Sequence, residues 1–214
     1  MNCDLLKMSK DEQEILKIQY EKLIKARNFH YEHFNKWLMS FYVIIGALFV
    51  ALYKIHTEPP IHVHMELCVA IVGYIVSVAT LLSGKGYYYW ETNWILLVHK
   101  FEKTYLKEEN DIFKSRVYSV MADKNANNSI CNPIMGANIS TSKVALAITW
   151  FITVLWGMIA IYFVIKMLYV DCLHSMCCRV IVSVLASIVS TQILLYIGGI
   201  LFPSDLHNLD ELKQ

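Results

Sequence analysis

The chain has 214 residues, of which 56% are hydrophobic and 17% are charged, and its formal net charge is +1 at pH 7. A soluble domain of this length is less apolar and more charged. The near-zero net charge provides no strongly basic surface for a polyanion, so we expect no direct nucleic-acid binding. The N-terminus lacks the apolar segment and small-residue cleavage site of a secretory signal peptide.

The first predicted element is an N-terminal cytosolic helix within residues 1–36. Ser9 and Glu12 have the spacing of a capping box, in which two side chains satisfy free backbone N–H groups at a helix start. We predict a helix from about Lys10 to about Lys36 that runs directly into the first membrane span. Its stripe at near-helical intervals consists of Leu16, Tyr20, Leu23, Arg27, Tyr31 and Phe34.

Four apolar runs are long enough to cross a bilayer, which requires about 20 residues. None of them carries a charged side chain or a histidine in its middle. The sequence therefore predicts an all-α integral membrane protein with four transmembrane helices, arranged as hairpins over residues 37–84 and 144–202. The runs are Trp37–Ile55, Met65–Gly84, Val144–Ile165 and Val180–Phe202.

The distribution of positive charge predicts the orientation. Sixteen of the 19 lysines and arginines fall before Trp37, within residues 85–143 or in the tail 203–214. Because positive segments stay in the cytosol, we predict that both termini and the central segment are cytosolic. We expect residues 85–143 to form amphipathic helices followed by a loop that returns to the membrane.

The stretch "GYYYWETNWILLVHKFEKTYL" follows the second apolar run without a break. Its apolar positions recur at intervals of four, three, four and four residues, which predicts one face of a helix that continues the second span into the cytosol. This face requires burial against something other than lipid tails, and the candidates are the N-terminal helix, a neighbouring copy and the lipid interface. We assign it as an interface with another copy or a partner protein, with ordinary helix packing as the alternative. Glu102 is assigned to the solvated side. The face consists of Trp90, Trp94, Leu97, Phe101 and Tyr105.

Hydroxyl side chains recur at helical spacing in the third and fourth runs. Small and hydroxylated residues allow close helix packing and hydrogen bonding between helices. The same pattern lines the pores of oligomeric channels. Both interpretations stay open for Thr149, Thr153, Ser183, Ser187, Ser190 and Thr191.

The short outer segments hold the remaining chemically reactive side chains. An oxidising outer face favours a disulfide between Cys172 and either Cys177 or Cys178. Zinc bound between the outer loops is the alternative, but the spacing of their Cys and His residues matches no standard closed site. We therefore predict no metal and no cofactor. The sequence has no phosphate-binding loop and no nucleophile elbow, so we predict that the protein is not an enzyme.

Two stretches carry a family resemblance: "YYYWETNWILLVHKFEK", with His99 and Glu102 three residues apart, and "STSKVALAITWFITVLW". Over Leu81–Trp156 the chain resembles small bacterial membrane proteins of the RipA-like type, which implies a homo-oligomer. Its layout is also similar to small multi-span effectors and sensors of bacterial anti-phage defence systems. That resemblance implies a soluble cytosolic partner and supplies no catalytic residue.

Two functional hypotheses follow. The first is a homo-oligomeric, pore-like effector that is gated from the cytosol. The second is a membrane sensor or scaffold that recruits a soluble effector through the aromatic face. We favour the first, because the spans make up about two fifths of the chain, more than anchoring requires.

Overall fold

The computed structural model describes residues 10–59, 63–105, 140–168 and 176–202. These residues form four α-helices: α1 (Lys10–Thr57), α2 (Val63–Tyr105), α3 (Thr141–Met167) and α4 (Met176–Leu201). Each helix is long and apolar enough to cross a membrane. The prediction of an all-α protein with four transmembrane helices is confirmed. The predicted loop in the central segment, the tail 203–214 and the Ser9 cap lie outside the described residues.

The two longest helices each join a predicted cytosolic segment to a predicted span. Helix α1 has 48 residues and passes through the Lys36–Trp37 boundary without interruption. Asp11 and Glu12 lie in its first turn, where negative charge interacts favourably with the helix dipole. Helix α2 has 43 residues, so the second span does continue into the aromatic stretch.

The described residues divide into two compact units. The first unit contains those within Met1–Trp37 and Gly86–Val144, and the second contains those within Leu38–Lys85 and Ala145–Gln214. All four apolar runs lie almost entirely in the second unit. The placement of the first unit in the cytosol, and the orientation of both termini, stay predictions.

The core of the second unit is built around Trp156 of α3, which is fully buried. Its ring lies 4.3 Å from that of Phe49 on α1, measured between centroids. On α2, Gly73 lies against the indole so closely that any side chain there would overlap the ring. The aromatic residue and the glycine therefore fit each other, as small residues permit in membrane helix pairs. Ile45, Leu52, Ala70, Ala160 and Phe163 complete this core.

Candidate functional site

A cavity of about 70 Å³ lies within the first unit, between the N-terminal part of α1 and the C-terminal part of α2. A cavity of this size has room for water molecules or a small polar group. It combines one cation, one carboxylate and several aromatic rings. Its lining residues are Arg27, His30, Tyr31, Tyr87, Glu91, Trp94 and Ile95.

Tyr87 forms the floor of this cavity and is only 7% exposed. Its ring stacks on Phe34 at 3.6 Å and on His30 at 5.2 Å between centroids. Neither the Tyr87 hydroxyl nor His30 Nε2 has a hydrogen-bond partner among the described residues. Because unpaired buried polar atoms are costly and both residues line the cavity, the cavity is a candidate site for a bound water molecule or small ligand.

Burial sets the protonation of both rings. Desolvation lowers the pKa of His30 below its ordinary value of 6.5, and the negative charge of Glu91 opposes this only in part. Desolvation and the same carboxylate raise the pKa of Tyr87. Both rings are therefore neutral at physiological pH and offer hydrogen-bonding atoms rather than charge.

The charged members of the cavity are Arg27 and Glu91. Arg27 is the one polar position of the predicted apolar stripe on α1, and the cavity accounts for it. Glu91 accepts a hydrogen bond of 2.6 Å from the hydroxyl of Ser142 at the start of α3, which ties that helix start to α2. The arrangement suits a small ligand that both donates and accepts hydrogen bonds and contacts aromatic surface.

The predicted aromatic face of α2 is only partly directed inward. Trp90 and Trp94 are half-buried, and Trp94 lines the cavity. Phe101 stacks on Tyr20 of α1 at 5.8 Å between centroids. Leu97, in contrast, is 47% exposed, and the side chain of Tyr105 lies outside the described set. Whether this face binds another copy or a partner stays a prediction.

Glu102 was predicted to lie on the solvated side of α2, and this prediction is wrong. The residue is fully buried, and its carboxylate accepts a hydrogen bond of 2.6 Å from the hydroxyl of Tyr20. Burial of a carboxylate is tolerable when it has such a partner. The buried side of this part of α2 is marked by Tyr87, Val98 and Glu102. It is rotated around the helix axis relative to the predicted aromatic face.

The predicted hydroxyl strips lie between helices of one protomer. Thr153 donates to the backbone carbonyl of Ser77 at 3.1 Å, and Ser187 donates to that of Val154 at 2.7 Å. Thr149 pairs with the hydroxyl of Tyr42 at 3.0 Å.

The remaining members of the strips continue this pattern. The hydroxyl of Tyr74 contacts those of Ser190 at 2.9 Å and Thr191 at 3.1 Å, and Ser183 is fully buried. Within the protomer these contacts correspond to helix packing, because every strip residue except Ser183 has a hydrogen-bond partner on a neighbouring helix, and Ser183 donates to the carbonyl of Arg179 in its own helix. Their lining of a pore stays a prediction.

The predicted outer segments contain a polar pair that sequence reasoning did not identify. Nδ1 of His56 lies 2.6 Å from Oε1 of Glu66, whose side chain is fully buried in the first turn of α2. Cys177 and Cys178 are exposed in the first turn of α4. Cys172 lies outside the described residues, as do His62 and His174 of the loop residues considered for zinc, so the disulfide stays a prediction.

The sequence model of the Octameric membrane protein family (8xMP) matches residues 17–165, which is more than half of the chain. No curated protein and no solved structure matches the chain.

Proposed function

The chain belongs to the octameric membrane protein family and is therefore a homo-oligomeric membrane protein; from this premise we propose that its oligomer is a pore-like effector gated from the cytosolic side. The similarity to small membrane effectors noted above supports placing it in bacterial anti-phage defence. In this proposal the protein lies in the inner membrane with both termini in the cytosol, and the first unit receives the signal.

One observation carries the gating proposal. Among the described residues, the cavity in the first unit is lined by residues of α1 and α2, and both of these helices continue unbroken into the second unit. A ligand or partner that fills the cavity would change how Arg27, Tyr87 and Trp94 are arranged around it. A change in the contact between two helices can shift the balance between two arrangements of the segments that continue from them.

The position of the pore follows from the burial of the hydroxyl strips. Thr153 and Ser187 use their hydroxyls on neighbouring helices of the same protomer. Lining by these residues would require the four helices of one protomer to separate. We therefore place the conducting path between copies, as in other oligomeric channels.

Membrane potential tests this proposal. A potential-sensitive dye would be followed in bacteria that produce the protein with its natural neighbouring genes, before and after phage infection. Arg27→Ala and Lys25→Ala form a matched pair, because each removes one positive charge from α1 and only Arg27 lines the cavity. We expect depolarisation with the wild type and with Lys25→Ala, and its loss with Arg27→Ala at unchanged expression and oligomer size.

Two results would count against the proposal. A constant potential in infected cells that are nevertheless protected would exclude a pore. If Arg27→Ala and Lys25→Ala depolarised the membrane equally, the pore would be retained, but the proposal that the cavity controls its opening would be rejected.

An exposed apolar patch on α2 favours a second candidate function. Ile95, Leu96 and Leu97 are 39%, 57% and 47% exposed in the first unit. Such a patch suits a soluble partner, so the alternative is a sensor or scaffold that recruits one. Leu96→Glu would then abolish recovery of the partner encoded beside it, whereas Lys100→Glu on the same helix would not. The potential would stay constant throughout.

A further inference from the structure

Gln192 lies at the middle of the fourth apolar run, 180–202, on the exposed side of α4. The opposite side of this helix is buried in the second unit through Ser183, Ser187, Thr191 and Gly198. The Gln192 amide makes no hydrogen bond to any other residue in the described part of the chain. It is therefore a polar group at mid-membrane depth that its own protomer leaves unpaired.

A lipid environment does not satisfy this amide. A glutamine side chain has two N–H donors and one carbonyl acceptor. The hydrocarbon core contains no water to bond them, and polar side chains in membrane helices pair across helix contacts instead. Something other than lipid tails must therefore cover Gln192 in the assembled protein.

The surroundings of Gln192 have the form of a helix contact. Leu185 is 58% exposed and Tyr196 is 73% exposed, and they flank Gln192 at intervals of seven and four residues. Gly199 follows, with no atom within 4 Å of where a side chain would begin, so another backbone can approach closely. We call this surface the Gln192 face; it consists of Ile181, Leu185, Ile188, Gln192, Tyr196 and Gly199.

We propose that the Gln192 face is a contact between copies of this chain, with the Gln192 amide hydrogen-bonded to the neighbouring copy. Because an amide both donates and accepts, it is chemically complementary to amides, hydroxyls and carbonyls, including those that a second copy presents. The residues of this face recur along α4 every three or four positions, and all but Gln192 are apolar. A single polar residue in such a face also fixes the register of a contact between two helices. The inference rests on the homo-oligomeric state and not on the proposed pore.

The test compares Gln192→Leu with Ile193→Leu. Both variants place leucine at an exposed position of α4, but Ile193 lies off the Gln192 face by one residue, about 100° around the helix. Oligomer and monomer would be quantified in detergent over a dilution series, and helix content would be measured by circular dichroism to verify folding. We expect Gln192→Leu to raise the dissociation constant of the oligomer by roughly threefold for each contact between copies, with these factors multiplied over all contacts in the oligomer. We expect Ile193→Leu to leave the dissociation constant unchanged.

Photo-crosslinking gives an independent measurement on the folded oligomer. A benzophenone amino acid at position 185 should produce chain-to-chain products under light, and the same group at position 193 should not. Absence of such products from position 185 would overturn the proposal. A Gln192→Leu oligomer that is as stable as the wild type would also overturn the proposal. If the ion flux of that stable oligomer were altered, Gln192 would face water in a pore and not a neighbouring copy.

Discussion

The contact between Gly73 and Trp156 predicts how the second unit responds to one added methyl group. In Gly73→Ala, the new Cβ would overlap the six-membered ring of the Trp156 indole. The ring cannot swing aside, because Trp156 is fully buried and stands against Phe49. Overpacking of this kind costs about 1–3 kcal/mol.

Gly46→Ala is the matched control. Gly46 also lies in an apolar run, on α1, and nothing lies within 4 Å of where its side chain would begin. Both substitutions gain about 1 kcal/mol of helix propensity, so that contribution cancels in the comparison. We expect Gly73→Ala to be less stable than Gly46→Ala by about 1–3 kcal/mol, the steric cost alone.

The assay is unfolding by SDS in mixed micelles, followed by circular dichroism. A second comparison, Gly73→Ala in a Trp156→Leu background, should show a smaller penalty because the obstructing ring is absent. If Gly73→Ala and Gly46→Ala unfold at the same SDS fraction, the account of this core as a glycine–indole contact is refuted.

Three further predictions use the same unfolding assay. Tyr74→Phe removes the hydroxyl that bonds to α4 and should cost about 0.6–1.7 kcal/mol, whereas Tyr53→Phe at an exposed position should cost nothing. His56→Ala deprives the buried carboxylate at the start of α2 of its partner and should cost about 1 kcal/mol, whereas His64→Ala should not. Burial lowers the pKa of His30 in the folded protein, so as the pH falls below 6.5 the unfolded chain binds a proton at this histidine more readily than the folded protein does. The free energy of unfolding should therefore decrease below pH 6.5. This decrease should be smaller in His30→Gln.

The four helices could be predicted from sequence because each span is an uninterrupted apolar run, and no alternative structure satisfies the backbone of such a run in lipid. The continuity of α1 and α2 was also predictable, since no proline or glycine pair interrupts either junction. On α1, five of the six stripe positions from Leu16 to Phe34 are half-buried, and the exception is Tyr31, which is 43% exposed.

The inward face of α2 could not be predicted in the same way. From Tyr87 to Val98 nine of the twelve side chains are aromatic or aliphatic, so hydrophobic periodicity does not distinguish the buried side. The burial of Glu102 depends on the hydroxyl of Tyr20, which is 82 residues away in the chain. Local pattern contains no information about such a partner.

The hydroxyl contacts of the second unit also bear on how the protein is made. Tyr42 and Tyr74 belong to the first hairpin, but their hydrogen-bond partners, Thr149 and the Ser190–Thr191 pair, belong to the second. During synthesis the first hairpin enters the bilayer before α3 and α4 exist. Until they arrive, its two tyrosine hydroxyls are left in hydrocarbon without these partners, at the cost that unpaired polar groups carry there. We therefore expect a chain truncated after α2 to be less stable in the bilayer than the full chain, because the second hairpin supplies the hydrogen-bond partners of these two hydroxyls.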